Sequence, residues 1–364
     1  MDLHIAPGVT AQQVAEAHLS DVKVQDSYYC KAMTYWLDED KGCVFCLIEA
    51  PDKDAVIAMH RQAHGLIPNE IIAVNADVVK AFLGRIQDPE TVNGFPDTKL
   101  KIFSDAAFRT IVLIKTADSR VLYHQLGKVR AQELLLLCET VVKEQCRRFG
   151  GTEVFGKDDG NTLSFTSHRQ ALDCALTIQK RLTPSARSIA LSLALHAGVP
   201  ISNDEEIFGS VIRLAKCLSC FHNDGRIIVS SAVRDLFKDN EWSLTVEKSN
   251  AISLGPVENA FFEKLSATLI INWQNPQFDV LDFCDAMSVS KSQLYRKCVL
   301  LTGLSPNNML REYRLLKSLE FLRKEERNIT QTTFDTGFSS PSYFTKCFQK
   351  RFGLQPLVYL RTRI

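Results

Sequence analysis

The chain repeats itself. Ser290, Ser292, Leu294, Arg296, Gly303, Leu304 and Pro306 stand fifty positions before Ser340, Ser342, Phe344, Lys346, Gly353, Leu354 and Pro356, and each pair agrees in identity or physical type. A repeat of this kind requires two copies of one local structure. The second copy, Ile329–Pro356, reads as two short helices joined at Gly337, a residue that reverses the chain at positive φ without a Cβ penalty. Ser340 suits an N-cap and Pro341 a first helical position. Phe344, Phe348 and Phe352 recur at i, i+4 and i+8, so they form one apolar face that Gly353 brings to a stop. Ser342, Thr345, Lys346, Gln349 and Lys350 fall on the other face, and all of them are hydrogen-bond donors. A short helix with a buried aromatic spine and a donor-rich outer face is what a DNA major groove admits.

Charge divides the chain in the same place. The net charge of +1 combines 14 Lys/Arg against 8 Asp/Glu from Ser266 onward, about +6, with about −5 before it. A basic end on an acidic body suits a nucleic-acid-facing domain, although a solvated imbalance gives the same count. The length of 364 residues with 45% hydrophobic content implies two or three domains with true cores. The 11 cysteines are an odd, scattered set, and MDLHIAPGVT lacks the regions of a signal peptide. With no apolar run near the ~18 residues that span a bilayer, the expectation is a reduced, cytoplasmic protein without membrane contact. Cys43 and Cys46 fall on opposite faces of an expected strand, and Cys217 and Cys220 have no second pair. All four are read as core residues.

Residues 1–76 alternate strand and helix in the order β-α-β-β-α-β: Leu3–Ile5, Thr10–Ser20, Tyr28–Leu37, Cys43–Ala50, Asp54–His64 and Glu70–Asn75. Through DLHIAPGVTAQQVAEAH, VFCLIEAP and MHRQAHGLIPNEI the segment resembles a family of small nickel-binding proteins with a ferredoxin-like fold. Four of the eight histidines (His4, His18, His60 and His64) lie in this first fifth. His60 and His64 share a helix face and reach one ion together. Glu49 or Glu70 is the expected oxygen partner in a set that suits nickel or zinc. The competing reading makes these histidines fold-stabilising, with the module serving dimerisation or small-ligand sensing.

Residues 77–105 carry Gly84, Asp88-Pro89, Asn93-Gly94 and Pro96-Asp97 and read as a linker after a short helix at 76–85. Residues 106–255 follow as an α+β unit. Its pieces are a strand at 108–115, helices at 128–149 and 168–182, a hairpin around Asp159-Gly160, a strand at 190–199, a helix at 211–220 and a strand at 226–230. Through GGTEVFGKDDGNTLSF, ALDCALTIQKRL, LALHAGVP and GRIIVSSAVRDLF it resembles the catalytic domain of class III nucleotidyl cyclases. That resemblance implies two metal-holding carboxylates. Asp159 matches the second. The first falls near Thr116, a hydroxyl, with Asp118 two residues along. The family's asparagine and arginine are replaced by Arg213 and Cys217, so transition-state charge goes unstabilised. The expectation is a cyclase-like domain without cyclase activity, kept as a pairing surface or as a ligand pocket, with pairing favoured.

Residues 261–364 resemble the AraC/XylS family of transcription regulators through VSKSQLYRKCVLLTGLSP and DTGFSSPSYFTKCFQKRFGLQP. The resemblance implies two recognition helices entering successive major-groove segments, held apart by a helix over 306–323. Carried over by position, it assigns base reading to Ser292, Tyr295 and Arg296 in the first helix and to Ser342 and Lys346 in the second. Pro341 stands at a reading position but offers no donor. Lys291, Lys297, Lys350 and Arg351 are expected on phosphates, which position without specifying. Thr333 replaces a common alanine, and its hydroxyl is expected to bond back to a helix carbonyl.

The chain is therefore expected to be a multidomain α+β protein: a ferredoxin-like module, a cyclase-like module and an all-α tandem helix-turn-helix. Its expected partners are double-stranded DNA, a second copy of itself, and a small-molecule or metal effector. The alternatives are an active cyclase fused to a DNA-binding domain and a regulator that senses nickel or another divalent metal. No other cofactor is implied.

Overall fold

The computed structural model describes residues 1–90, 100–154, 160–185, 188–201, 206–221, 225–246, 251–324 and 327–362. Strands β1 (Asp2–Ile5), β2 (Lys31–Asp38), β3 (Cys43–Glu49) and β4 (Glu70–Ile71) form an antiparallel sheet in the order β2-β3-β1-β4. Helices Ala11–Val24 and Lys53–Ala63 connect them, capped by Thr10 and Asp52. On the helix side Val14, Ala15, Tyr35, Leu37 and Val44 pack together. Trp36, Phe45 and Leu47 face the other way, into a core shared with Val79, Phe82, Ile111 and Phe208. The sheet is thus buried on both faces, and Tyr35 and Trp36 are both fully enclosed. The strand expected from Tyr28 begins at Lys31, because Gln25–Tyr28 make a 3-10 turn ended by Tyr29 at φ 53°. A register shift between Ala32 and Thr34 marks a bulge.

The segment read as a linker supplies helix Ala76–Leu83, whose Val79, Phe82 and Leu83 are buried between the two sheets. Arg109 Nε donates to Phe82 O at 3.0 Å and Ser164 Oγ to the same oxygen at 2.9 Å. Asn93-Gly94, Pro96-Asp97 and Asp159 lie outside the described residues.

Strands β5 (Arg109–Lys115), β6 (Thr152–Val154), β7 (Asn161–Phe165), β8 (Ser192–Gly198), β9 (Ile227–Val229) and β10 (Ala251–Ser253) form the second sheet, ordered β10-β9-β8-β5-β7-β6. Its β8–β9 and β9–β10 pairs are parallel and the others antiparallel. Apolar runs such as TIVLI are what a central strand covered on both faces requires. Helices Lys128–Arg148 and His168–Leu182 cover one face through Leu134, Val141, Val142, Ala171 and Ile178. Helix Gly209–Cys220 covers the other.

Helix Pro256–Asn272 starts five residues before 261, the expected start of the last segment, because Gly255 takes the N-cap and Pro256 the first turn. Its Phe261, Phe262, Leu265 and Leu269 join Leu214 and Leu218 in a core that runs on to Phe283, Leu294, Cys298 and Met309. The first C-terminal unit therefore shares its core with the central sheet. A second core gathers Leu315, Leu319, Leu322, Phe338, Phe344, Phe348, Phe352 and Tyr359, with Val121 from the central unit. Burial of each phenylalanine contributes roughly 2–3 kcal/mol.

Candidate nucleic-acid interface and metal cluster

The two helices expected to read bases share a serine cap, a buried spine and a glycine stop. In Lys291–Thr302, the Ser290 side chain accepts from Gln293 N, and the Gln293 side chain accepts from Ser290 N, a full capping box. In Pro341–Phe352, Ser340 accepts from Tyr343 N. Gly303 at φ 72° and Gly353 at φ 82° end the helices, and a proline opens the next helix in each case. Leu294 and Cys298 are fully buried, as are Phe344 and Phe348, so each opposite face is fixed outward. Ahead of these helices the chain reverses at Ser288 (φ 54°) in the first unit and Gly337 (φ 76°) in the second.

Ser292, Arg296, Ser342 and Lys346 are exposed, and Tyr295 is 56% exposed despite its large ring. Lys291 and Lys350 are exposed as well. Lys297 is half-buried, with its ammonium 5.1 Å from the Phe261 ring centre. Arg351 is half-buried too, and its Nε donates to Glu312 Oε1 at 2.5 Å on the connecting helix Pro306–Arg323. Thr333 Oγ1 donates to Ile329 O at 2.8 Å, the back-bond that its position implied.

The second unit is tied to the central one. Gln125 Nε2 donates to Phe352 O at 2.9 Å. Asp118 caps helix Ser119–Leu126 through Arg120 N and Val121 N. Its other oxygen accepts from Tyr359 Oη at 2.8 Å and lies 3.4 Å from an Arg323 nitrogen. The carboxylate nearest the first cyclase-like position is thus held by a helix cap and a contact between units. Burial, with Asp118 beside it, pushes the Tyr359 phenol up. Arg213 and Cys217 both lie on helix Gly209–Cys220, where burial raises the Cys217 thiol.

Two groups meet on the helix side of the first sheet. Asp21, His60 and His64 bring ligand atoms within 4.8 Å of one another, and so do Asp2, His4 and Cys46. Period-two alternation sets Asp2 and His4 on the same face of β1. His60 Nδ1 lies 3.0 Å from Asp21 Oδ1 and 3.0 Å from His64 Nε2, and its Nε2 lies 2.9 Å from Asp2 Oδ2. Burial disfavours the His60 imidazolium, but hydrogen bonds to Asp2 and Asp21 outweigh it and raise the pKa to about 9. For Asp21, burial opposes ionisation while bonds from His60 and His64 hold the carboxyl below its usual range. Burial lowers His4, and pushes Cys46 well up with help from Asp2.

The structure does not bring the expected oxygen partners, Glu49 and Glu70, into either group. Glu49 is exposed at the end of β3 and lines a different cavity, and Glu70 pairs across β1 with Leu3. The carboxylates that reach the imidazoles are Asp2 and Asp21, which arrive from β1 and from the first helix. Cys46, read as a core residue, lies beside Asp2, with its amide donating to Asp2 Oδ1 at 3.3 Å. The mixed imidazole and oxygen donors suit nickel or zinc.

Parts of the chain are similar to known proteins. Residues 283–362 match the model of a helix-turn-helix domain, and residues 1–74 match that of the nickel responsive protein SCO4226-like. The C-terminal segment is thus similar to helix-turn-helix domains, and the N-terminal segment to the nickel responsive protein SCO4226-like. Among curated relatives, the HTH-type transcriptional activator RhaS of Escherichia coli is 30% identical over 92 residues, 24% of this chain and 33% of RhaS. Histidine kinase P4 of Formosa agariphila is 34% identical over 128 residues, 33% of this chain and 9% of the kinase. The chain therefore spans a third or less of these relatives. SCO4226 from Streptomyces coelicolor is similar to 20% of this chain over 90% of its own length, at 32% identity and a TM-score of 0.19. An adenylate/guanylate cyclase/hydrolase from Silicibacter pomeroyi aligns with 36% of this chain and 81% of its own, at 23% identity and a TM-score of 0.32.

Proposed function

We propose that the chain is a transcription regulator that binds a specific duplex sequence through both helix-turn-helix units. The observation that carries this is the paired construction: two helices each capped by a serine and stopped by a glycine, each with a fully buried spine and an outer face of exposed donors. Arg296 offers two donors to a guanine edge, and Lys346 donates to guanine O6 or N7. Tyr295, Ser292 and Ser342 complete the reading surface. Lys291 and Lys350 sit on phosphates, whereas Lys297 and Arg351 reach phosphate only by leaving Phe261 and Glu312. Arg296→Ala should cost roughly 1–3 kcal/mol on the specific site and relax choice at one base pair. Lys350→Ala should weaken all sequences alike and lower the salt slope by about one. Fluorescence anisotropy on specific and random duplexes separates the two effects, and equal losses for Arg296→Ala on both would overturn the reading.

The domain limits proposed are 1–76, 106–255 and 261–364, with the cyclase-like unit serving pairing between two copies in the cytoplasm. Among the described residues no helix is long and apolar enough to cross a membrane. The cyclase-like unit lacks turnover on this reading, because Thr116 offers no carboxylate and Asp118 is held by Tyr359 and Arg323. Purified protein with manganese and ATP or GTP should yield no cyclic nucleotide, and turnover abolished by Asp159→Ala would refute that.

A second reading, favoured by the Asp21, His60 and His64 group, makes nickel or a similar ion the effector. These three side chains would hold the ion, with Asp2 as an outer partner orienting His60. Metal should then change DNA affinity, and DNA should change metal affinity by the same factor.

A further inference from the structure

A cavity of about 750 Å³ lies between the central sheet and the second helix-turn-helix unit. One wall is the end of β5 and the turn after it, including Lys115 and Thr116. The other is the connecting helix and the C-terminal end of the second recognition helix, including Leu316, Arg323, Arg351 and Phe352. Its volume falls in the range of organic-ligand pockets and far exceeds a packing defect.

Its lining selects a class of ligand. Lys115, Arg323 and Arg351 bring three cations to it, against the carboxylates of Asp118 and Glu320. Asp118 is committed to two amides of its own helix and to Tyr359, and Glu320 is bridged by Lys317 at 2.9 Å. Arg351 is held by Glu312, so a ligand headgroup would share or exchange that partner. Planar guanidinium groups match carboxylate and phosphate oxygens two at a time. Leu316 and Phe352 supply an apolar surface beside them.

We propose that this cavity binds a small organic anion with a phosphate or carboxylate headgroup, and that the second recognition helix senses its occupancy. Arg351 and Phe352 belong to that helix, and Phe352 O is the atom that Gln125 holds from the central unit. A headgroup on Arg323 competes directly with Asp118, the contact that joins the two units. Occupancy therefore changes how the second helix is seated while leaving the first, which is built into the central core. This coupling rests on the DNA-binding reading above; the site itself does not.

The test is calorimetry and thermal melting of the full chain with four probes: ATP, inorganic pyrophosphate, citrate and palmitate. The expected result is micromolar binding of at least one, with ATP or pyrophosphate marking a phosphate headgroup and citrate or palmitate a carboxylate. Arg351→Gln should weaken that probe about tenfold or more, and Ser188→Trp, an exposed position on the lining, should do the same by narrowing the space. Lys180→Gln, exposed on helix His168–Leu182 and outside the cavity, should leave binding unchanged. No heat and no melting shift with any probe at about 1 mM, or binding that survives both cavity variants, overturns the site. Duplex affinity should change when the probe is bound, and the duplex should change probe affinity by the same factor. An unchanged affinity overturns the coupling, whereas a chain that binds the probe but no DNA overturns the regulator reading and leaves the site standing.

Discussion

Replacing Gly337 by alanine should weaken the second helix-turn-helix unit several times more than the same change at Gly303. Both glycines have positive φ, 76° and 72°. A Cβ at Gly303 would meet nothing within 4 Å, so its cost is the left-handed backbone alone, about 1–2 kcal/mol. A Cβ at Gly337 would lie 2.4 Å from Trp273 O and 2.8 Å from Arg314 Nε. Those two atoms form a hydrogen bond of 2.7 Å, and the Arg314 guanidinium also donates to Asn275 O at 2.6 Å. Relieving the clash pushes this charged donor off Trp273 O, at about 1.5–3 kcal/mol. The sum for Gly337→Ala is roughly 2.5–5 kcal/mol, against about 1–2 at Gly303. Hydrogen exchange resolved by peptide reads both, because local opening of 329–352 and 291–302 is measured separately. Gly337→Ala should speed exchange across 329–352 by two to three orders of magnitude more than background. Losses at the two glycines that agree within about 0.5 kcal/mol would refute the claim that the Trp273 carbonyl excludes a side chain.

His60→Gln should abolish micromolar nickel binding measured by calorimetry on the full chain, while Glu49→Gln and Glu70→Gln leave it unchanged; retention in His60→Gln would dismiss the cluster as a metal site. His196 is buried in β8 beside Ser230 Oγ at 2.7 Å, and burial lowers its pKa to about 4. The unfolded chain takes this proton near the ordinary histidine value of 6.5, so His196 contributes about 3 kcal/mol that is complete above about pH 6.5 and lost as pH falls toward 4. Urea midpoints for wild type and His196→Gln should therefore converge on acidification across that window, and parallel curves would exclude the effect. Thr333→Ala removes only a back-bond within its own helix, so the same urea titration should show a change below about 1 kcal/mol.

How far the sequence exposes this structure depends on how local each determinant is. The recognition helices were legible because their caps, spines and stops lie within thirteen residues of one another. The Thr333 back-bond was legible for the same reason. His60 and His64 were legible as a pair through their i, i+4 spacing. Their carboxylates were not, because Asp2 and Asp21 come from elements 58 and 39 residues away and nothing in the spacing ranks them above Glu49 or Glu70. Asp118 shows the limit more sharply: its contact with Tyr359 spans 241 positions. The two-sided burial of Tyr35 and Trp36 was hidden likewise, since alternation on β2 cannot reveal that a second sheet covers its far face.

The connecting helix Pro306–Arg323 has 18 residues, which at 1.5 Å per residue is about 27 Å. On the proposed reading it acts as a ruler with a phase. One inserted residue would lengthen it by only about 1.5 Å but turn the second unit by about 100° relative to the first. The second helix would then point away from the groove face that the first occupies. The spacing of the two half-sites is thus written in the length of a helix that touches no base. Point substitutions on the reading faces can change which sequence is chosen, but only a whole-turn change in this helix can alter how far apart the two halves stand.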